Sequence, residues 1–208
     1  RALGIHPESI RSLSVKEIRS NGLIYFRPFK NLETLSIEGT FSAYPIEFLS
    51  GLKHLKTLKI VSHSLLSPPE FYRYPKSFKK LKHLFIEGLL SQGSTLFYGG
   101  IVFDNLEFLK IIQVPPAAAH DFHRTTLNRN LSIISELKKL KYLSIAVTNR
   151  LTDDQTSFLS GLTNLKELYI SAPTIRDIKG IENCHKLEVL ITYGCEIYKT
   201  NSGTLEDG

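Results

Sequence analysis

Apolar residues recur along the chain in one phrase, Leu-x-x-Leu-x-Ile, with mostly polar residues between them. Copies of the phrase start at residues 10, 32, 55, 81, 106, 140, 165 and 187, so they are spaced 22 to 34 residues apart. Seven of these eight copies keep all three apolar positions. Within residues 32–37, alternate side chains of an extended backbone face opposite sides, so Leu35 and Ile37 face inward while Thr34 and Ser36 face outward. Each copy therefore predicts one β-strand with an apolar inner side.

The segment before each phrase carries apolar residues three positions apart, as in Leu159, Leu162 and Leu165. This spacing is typical of one face of a short helix or a 3₁₀ turn. Thr152 and Gln155 are placed as a capping box and predict a helix start. The segment 175–181 is shorter and predicts a 3₁₀ return. Since parallel strands need a crossover connection, each repeat is predicted to be strand, loop, short helix and loop.

Three stretches break the repeat, at residues 65–77, 88–101 and 113–131, and each predicts a longer loop. The repeats need no second domain, because each buries its apolar face on its neighbours, so residues 1–208 are predicted to form a single domain. The sequence contains no Met, which indicates a fragment of a longer chain.

On this phrase and period, the chain resembles leucine-rich-repeat proteins over about residues 10–195. The resemblance implies an α/β, right-handed solenoid or horseshoe, with about eight parallel strands on the concave face and short helices or 3₁₀ turns on the convex face. The irregular repeat length is similar to that of cytosolic repeats in F-box receptors and intracellular immune receptors. The segment 174–190 resembles the 22-residue repeats of phosphatase regulators and splicing factors. The family's Asn or Cys after the strand is matched here by Cys195 alone.

Composition is ordinary for a soluble chain, with 42% hydrophobic and 22% charged residues. No stretch approaches about 20 apolar residues, so no membrane span is predicted. Of the two cysteines, Cys184 occupies a predicted core position. Two reduced thiols in a cytoplasmic or nuclear protein are the favoured interpretation. The glycosylation sequon at residues 130–132 is the one feature against it.

The sequence offers no catalytic motif, so an enzyme, a cofactor and a metal site are not expected. His120, Asp121 and His123 lack a further ligand nearby, and a solvated loop is the favoured interpretation. No Gly-rich phosphate loop follows a strand, and the Gly99-Gly100 pair lacks the Lys-Ser/Thr of a P-loop.

Basic residues cluster where each return segment enters the next strand. The residues two before, one before and one after each phrase's first apolar residue carry 12 bases and 5 acids, a net +7 against +6 for the whole chain. This basic edge includes Lys79, Lys80, Lys82, Lys138, Lys139 and Lys141. It predicts either a surface for an acidic partner or nucleic acid, or lysines that complement helix C-termini.

The outward strand positions change from small polar residues in early repeats to apolar and aromatic ones in later repeats. The predicted partner-binding residues are Phe85, Phe108, Lys110, Tyr142, Glu167, Tyr169, Ile191 and Tyr193. Phe85, Phe108, Tyr142 and Tyr169 are predicted to form one contiguous stripe, with the insertion 113–131 as a lid or second wall. Packing of these aromatic residues on one another along the sheet is the alternative.

Together these patterns predict a protein-recognition module whose partner docks on the concave face. The resemblance narrows this to the partner- or substrate-binding part of a larger adaptor, such as an F-box-type ubiquitin-ligase receptor. The alternatives are a nucleic-acid or ribonucleoprotein component that uses the basic edge, and an intracellular immune-receptor or phosphatase-regulator domain.

Overall fold

Eight parallel strands form one sheet, and they follow one another across it in the order of the chain. The computed structural model describes residues 6–19, 26, 28–40, 49, 51–66, 78–90, 103–114, 131–147, 151–175, 177–193 and 196–197. The strands of this sheet are β1 (Ser12–Arg19), β2 (Thr34–Thr40), β3 (Thr57–Leu66), β4 (His83–Leu90), β5 (Phe108–Val114), β6 (Tyr142–Ala146), β7 (Glu167–Ser171) and β9 (Val189–Tyr193). Two short strands, β8 (Thr174–Ile175) and β10 (Glu196–Ile197), pair in a second sheet. Every copy of the sequence phrase thus supplies one strand, as predicted.

The strand register places the second apolar residue of each phrase opposite its counterpart in the next repeat. This inner row runs through Leu13, Leu35, Leu58, Leu84, Leu109, Leu143, Leu168 and Leu190. From Leu35 to Leu168 these side chains are 0% exposed. The apolar inner sides predicted for the separate strands therefore form one continuous buried row. Leu190 is 45% exposed, because β9 pairs with β7 on one edge and with no described strand on the other.

The return segments close the other side of the core with short helical turns. Among them, Asp153–Thr156 forms helix α1, and 3₁₀ turns cover Pro7–Ser9, Ser157–Gly161 and Ile181–Asn183. Residues 131–134 are also helical. The predicted capping box at the start of α1 is confirmed, since the Thr152 N–H donates to Gln155 Oε1 at 2.9 Å. The short repeat does return through a 3₁₀ turn, but this turn lies at Ile181–Asn183 and shares only Ile181 with the predicted segment 175–181.

A line of backbone hydrogen bonds joins the repeats where each strand begins. The Lys56 N–H donates to the Glu33 carbonyl at 2.8 Å, and the Glu107 N–H donates to the Lys82 carbonyl at 2.9 Å. The same bond recurs in every repeat from Glu33 to Glu188. Neighbouring repeats are thereby fixed in register independently of their side chains.

Parts of the three predicted insertions lie outside the described residues. Strands β3, β4 and β5 extend to Leu66, Leu90 and Val114, so each runs into the start of the insertion that follows it. The proposed lid over the stripe belongs to the segment 115–130, which lies outside the described residues.

Gly180→Ala should destabilise the fold by about 1–3 kcal/mol, since Gly180 has φ of +85° and an alanine strains that backbone. The added Cβ would also lie 2.7 Å from the Ser160 backbone nitrogen. Gly51→Ala is the matched control, because no heavy atom lies within 4 Å of its added Cβ. Urea unfolding should show a change of at most about 1 kcal/mol for the control. Equal midpoints for the two variants would contradict this account of Gly180.

Candidate functional site

Outward rows of side chains cross the sheet on the side away from the core, which we call the outer face, and two of them contain the aromatic residues of interest. The first row holds Thr34, Thr57, His83, Phe108, Tyr142, Glu167 and Val189, and the second holds Ser36, Lys59, Phe85, Lys110, Ser144, Tyr169 and Ile191. Residues within a row lie opposite one another on paired strands. The outer face is therefore polar at β2 and β3 and becomes aromatic from β4 onward.

Four rings on the outer face form a continuous series, which we call the aromatic stripe. The ring centroids are 4.6 Å apart between Phe85 and Phe108, 3.9 Å between Phe108 and Tyr142, and 5.1 Å between Tyr142 and Tyr169. The Phe108 and Tyr142 rings are stacked, with an interplanar angle of 7°. All four side chains are half-buried, so each retains surface in contact with solvent. The structure thus brings together the four residues that the sequence predicts as one stripe.

Hydrogen bonding and burial raise the pKa of the two tyrosine hydroxyls in the stripe. The Tyr169 hydroxyl donates to Glu167 Oε2 at 3.1 Å, and this hydrogen bond, followed by burial, raises the Tyr169 pKa. Burial is the main cause that raises the Tyr142 pKa. Both phenols are therefore neutral at ordinary pH and present uncharged rings.

The other predicted binding residues also lie on this face, around the stripe. Lys110 lies opposite Phe85 on one side and Ser144 on the other. Ile191 lies opposite Tyr169, and Tyr193 lies opposite Ser171 with 56% of its surface exposed. The sequence therefore located the outer face at β4 to β9 correctly; that it binds a partner stays a prediction.

The predicted basic edge is crossed by a ladder of ion pairs between consecutive repeats. Glu107 accepts from Lys82 at 2.9 Å and from Lys141 at 2.7 Å. The same pattern joins Lys56 to Glu33 at 2.6 Å and Lys166 to Glu188 at 2.8 Å. The lysines Lys82 and Lys141 therefore hold a carboxylate of their own chain.

A second ladder lies one residue before each phrase, and the sequence analysis missed it. Side-chain amides reach back to a carbonyl of the preceding repeat, and lysines at the same position reach back to the amides. The bonds are Asn31 to the Glu8 carbonyl, Asn105 to the Lys79 carbonyl, Asn164 to the Lys138 carbonyl, Lys139 to Asn105 Oδ1 and Lys186 to Asn164 Oδ1. The recurrence of Asn at residues 31, 105 and 164 is the signal that could have found it.

The remaining lysines of the basic edge differ in their surroundings. Lys138 donates to the carbonyls of Ser135 and Gly161, each at 3.1 Å. Lys80 Nζ lies 3.5 Å from His54 Nδ1. Within the described part of the chain, the Lys79 side chain makes no hydrogen bond or ion pair, so it remains open to solvent.

Glu107→Gln should lower stability most at neutral pH and progressively less in acid. The hydrogen bonds from Lys141 and Lys82 lower the Glu107 pKa from 4.5 to about 2. Because the folded-state pKa is depressed, the stabilisation is present above pH 4.5 and is lost as the pH falls toward 2. Urea midpoints of both proteins, measured between these limits, should converge. A constant difference across this pH range would exclude charge on Glu107 as the cause.

Two of the depressions on the described surface differ in chemistry. One, of about 640 Å³, lies between return segments and is lined by serines, Lys138, Asp154 and Gln155. Its serine hydroxyls donate to carbonyls within their own turns, as from Ser157 to Asp154 and from Ser160 to Ser157. The other, of about 150 Å³, lies on the outer face beside the stripe and includes Phe85. The second is the one adjacent to exposed aromatic surface.

Metal ligands, reactive cysteines and membrane-spanning helices are three further features that could indicate a function for the described part of the chain. No group of three or more His, Cys, Asp or Glu side chains there could hold a metal ion. His120, Asp121 and His123 lie outside it, as does Cys195. Cys184 is a buried free thiol, as predicted, and burial is the main cause that raises its pKa. None of the helices described is long and apolar enough to cross a membrane.

Comparison with known proteins gives no match to a family model and none to a curated protein. Solved structures do match, among them an internalin (inlF) from Listeria monocytogenes, with a TM-score of 0.61 and 19% identity. A leucine-rich-repeat protein from Leptospira interrogans matches with a TM-score of 0.55 and 16% identity. The chain has a leucine-rich-repeat fold. A second internalin from Listeria monocytogenes, C2, matches this repeat fold with a TM-score of 0.51 and 19% identity.

The extent of the matches shows how much of each protein shares the repeat fold. The alignment with inlF covers 93% of this chain and 51% of the internalin, and the Leptospira match covers 91% and 50%. Internalin C2 is matched over 89% of this chain and 82% of its own. This leucine-rich-repeat chain therefore spans about half the length of the first two proteins.

Proposed function

We propose that this leucine-rich-repeat chain binds a protein partner on its outer face, with the aromatic stripe as the anchor. The observation that carries the proposal is the continuous series of half-buried rings from Phe85 to Tyr169. Contiguous apolar surface that keeps contact with solvent is typical of interaction sites. Aromatic side chains are enriched in protein interfaces and carry much of their energy.

Packing along the sheet does not by itself account for the stripe. Strands β2 and β3 pair in the same register with Thr34 opposite Thr57 and Ser36 opposite Lys59. These two strands bury their inner leucines as completely as β5 and β6 do. Strand pairing and the core are thus built without rings on the outer face, which supports a separate role for the aromatic residues.

The surroundings of the stripe fit the anatomy of an interface. The rings form an apolar centre, and Lys59, Glu87, Lys110 and Glu167 lie around it on neighbouring outward positions. Such a polar rim sets orientation and partner choice more than affinity.

Affinity capture with the chain as bait tests the proposal. The double variant Tyr142→Ala, Tyr169→Ala should lose the captured partner, because both ring contacts with the partner are removed. The control variant Lys79→Ala, Lys80→Ala changes the basic edge and should retain it. Retention by the stripe variant together with loss in the edge variant would move the site to the basic edge.

A nucleic-acid component remains the second candidate, and the edge geometry weighs against it. Lys82 and Lys141 share Glu107, and Lys139 donates to Asn105, so these ammonium groups are already held by the chain. If the basic edge bound RNA or DNA, affinity would fall steeply with salt as counterions are released. Binding at low salt with such a slope would favour this candidate.

The adaptor hypothesis is a narrower version of protein recognition. It places the chain as the partner-binding part of an F-box-type ubiquitin-ligase receptor in the cytoplasm or nucleus. It requires an F-box-like helical segment upstream of Arg1 in the complete reading frame. A reading frame without such a segment would remove the ligase version and leave the recognition module.

A further inference from the structure

Two lysines on the outer face lie on either side of Phe85 and have no acidic partner among the described residues. Lys59 is opposite Phe85 on β3, and Lys110 is opposite Phe85 on β5. By contrast, Lys56, Lys82, Lys141 and Lys166 at the strand entries are each held by a carboxylate. The two ammonium groups beside the stripe are therefore available for a partner's charge.

The same residues line the depression of about 150 Å³ on the outer face. In the next outward row, Val61 and Ile112 lie on either side of Glu87, so aliphatic groups border the depression as well. Paired strands lie about 4.8 Å apart, which puts the Lys59 and Lys110 backbones roughly 10 Å from each other. A single carboxylate entering between two flexible lysine side chains can accept hydrogen bonds from both.

Resting on the proposed function, we propose that the partner presents an acidic side chain next to an aromatic or aliphatic one, and that this pair occupies the depression. The carboxylate would bind between Lys59 and Lys110, while its apolar neighbour contacts Phe85 and Ile112. Glu87 is the carboxylate that lines the depression. It would repel a second acidic side chain of the partner that approached the row of Val61 and Ile112. The lysines thereby set the direction in which the partner lies across the stripe.

A basic partner fits this surface poorly. It would leave both ammonium groups beside its own cations, with Glu87 as the sole lining group of opposite charge. Like charges brought together at an interface oppose binding. Charge complementarity therefore selects an acidic segment.

Selection from a phage-displayed library of random peptides tests this inference. Each peptide has about 12 residues, which is long enough to cross several strands. Peptides enriched on the unaltered chain should carry Asp or Glu beside Phe, Tyr, Leu or Ile. The double variant Lys59→Gln, Lys110→Gln should bind the enriched peptides about tenfold or more weakly than the unaltered chain does. Raising NaCl from about 50 to about 500 mM should weaken binding to the unaltered chain more than to this variant.

The matched control is Lys53→Gln, Lys79→Gln, which removes the same charge at the basic edge. Both side chains are exposed there, and neither makes a hydrogen bond or ion pair with described residues. Its affinity should change by less than about twofold. Enrichment of neutral or basic peptides, or equal losses in both lysine variants, would overturn the inference.

The stripe variant Tyr142→Ala, Tyr169→Ala separates this inference from the proposed function. If it abolishes binding while the Lys59 and Lys110 changes do not, recognition by the stripe stands and the acidic partner is excluded. If the library yields no binders, or binders indifferent to the stripe, both proposals are contradicted.

Discussion

Leu109→Ala should lower the free energy of unfolding by about 2–5 kcal/mol, the range for a large-to-small change in a packed core. Leu109 is 0% exposed and lies opposite Leu84 on one side and Leu143 on the other. Removing its side chain leaves a cavity bordered by both neighbouring repeats, since the backbone ladder holds them in place. Urea unfolding followed by circular dichroism measures the loss.

The same row supplies a control of identical chemistry. Leu190 occupies the corresponding position in β9 but is 45% exposed. Leu190→Ala should therefore cost less than about half as much, since little buried surface is lost. A loss below about 1 kcal/mol for Leu109→Ala, or equal losses for the two variants, would show that the inner row does not form the core.

Phe108→Ala and Tyr142→Ala should each weaken partner binding by about 30-fold or more, corresponding to roughly 2 kcal/mol for an aromatic anchor. The two rings are stacked at 3.9 Å, so truncating one also removes the surface that positions the other. The double variant should consequently lose less than the sum of the two single losses. Binding of the captured partner, measured by calorimetry, gives all three values.

Tyr142→Phe is the matched control for this pair, because it keeps the ring and removes only the hydroxyl. It should bind within a few-fold of the unaltered chain, and every variant should keep its thermal midpoint within a few degrees. Full binding by both alanine variants would mean that the rings stabilise the sheet and do not contact the partner.

The sequence was informative where one physical requirement repeats in every unit. A strand with its apolar side buried needs Leu and Ile two residues apart, so Leu35 and Ile37 in one repeat predict Leu143 and Ile145 in another. The aromatic stripe followed from the same register, because outward positions are known once inward ones are. Phe108 and Tyr142 occupy equivalent positions in successive repeats, and the structure places them opposite each other.

The second ladder is harder to obtain in this way. The position before each phrase holds Asn at residues 31, 105 and 164 but Ser, His or Lys in the other repeats, so its repetition is interrupted. Asn105 accepts from Lys139 and donates to the Lys79 carbonyl, two bonds to two different repeats. The bonding role of these residues is visible only when three consecutive repeats are placed next to one another. The net charge of the basic edge predicts lysines without partners, whereas in the structure several of these lysines bond to Glu or Asn side chains of neighbouring repeats.

The stack of Phe108 on Tyr142 bears on how fast and how tightly a partner can engage. Each ring is confined by its neighbours and by the sheet below, so few rotamers remain to be lost when a ligand arrives. Immobilising a freely rotating side chain at an interface costs roughly 0.5–1.5 kcal/mol of conformational entropy. Here the rings already lose that freedom when the chain folds. The surface is preorganised, so the partner proposed here would meet anchors that need no prior rearrangement.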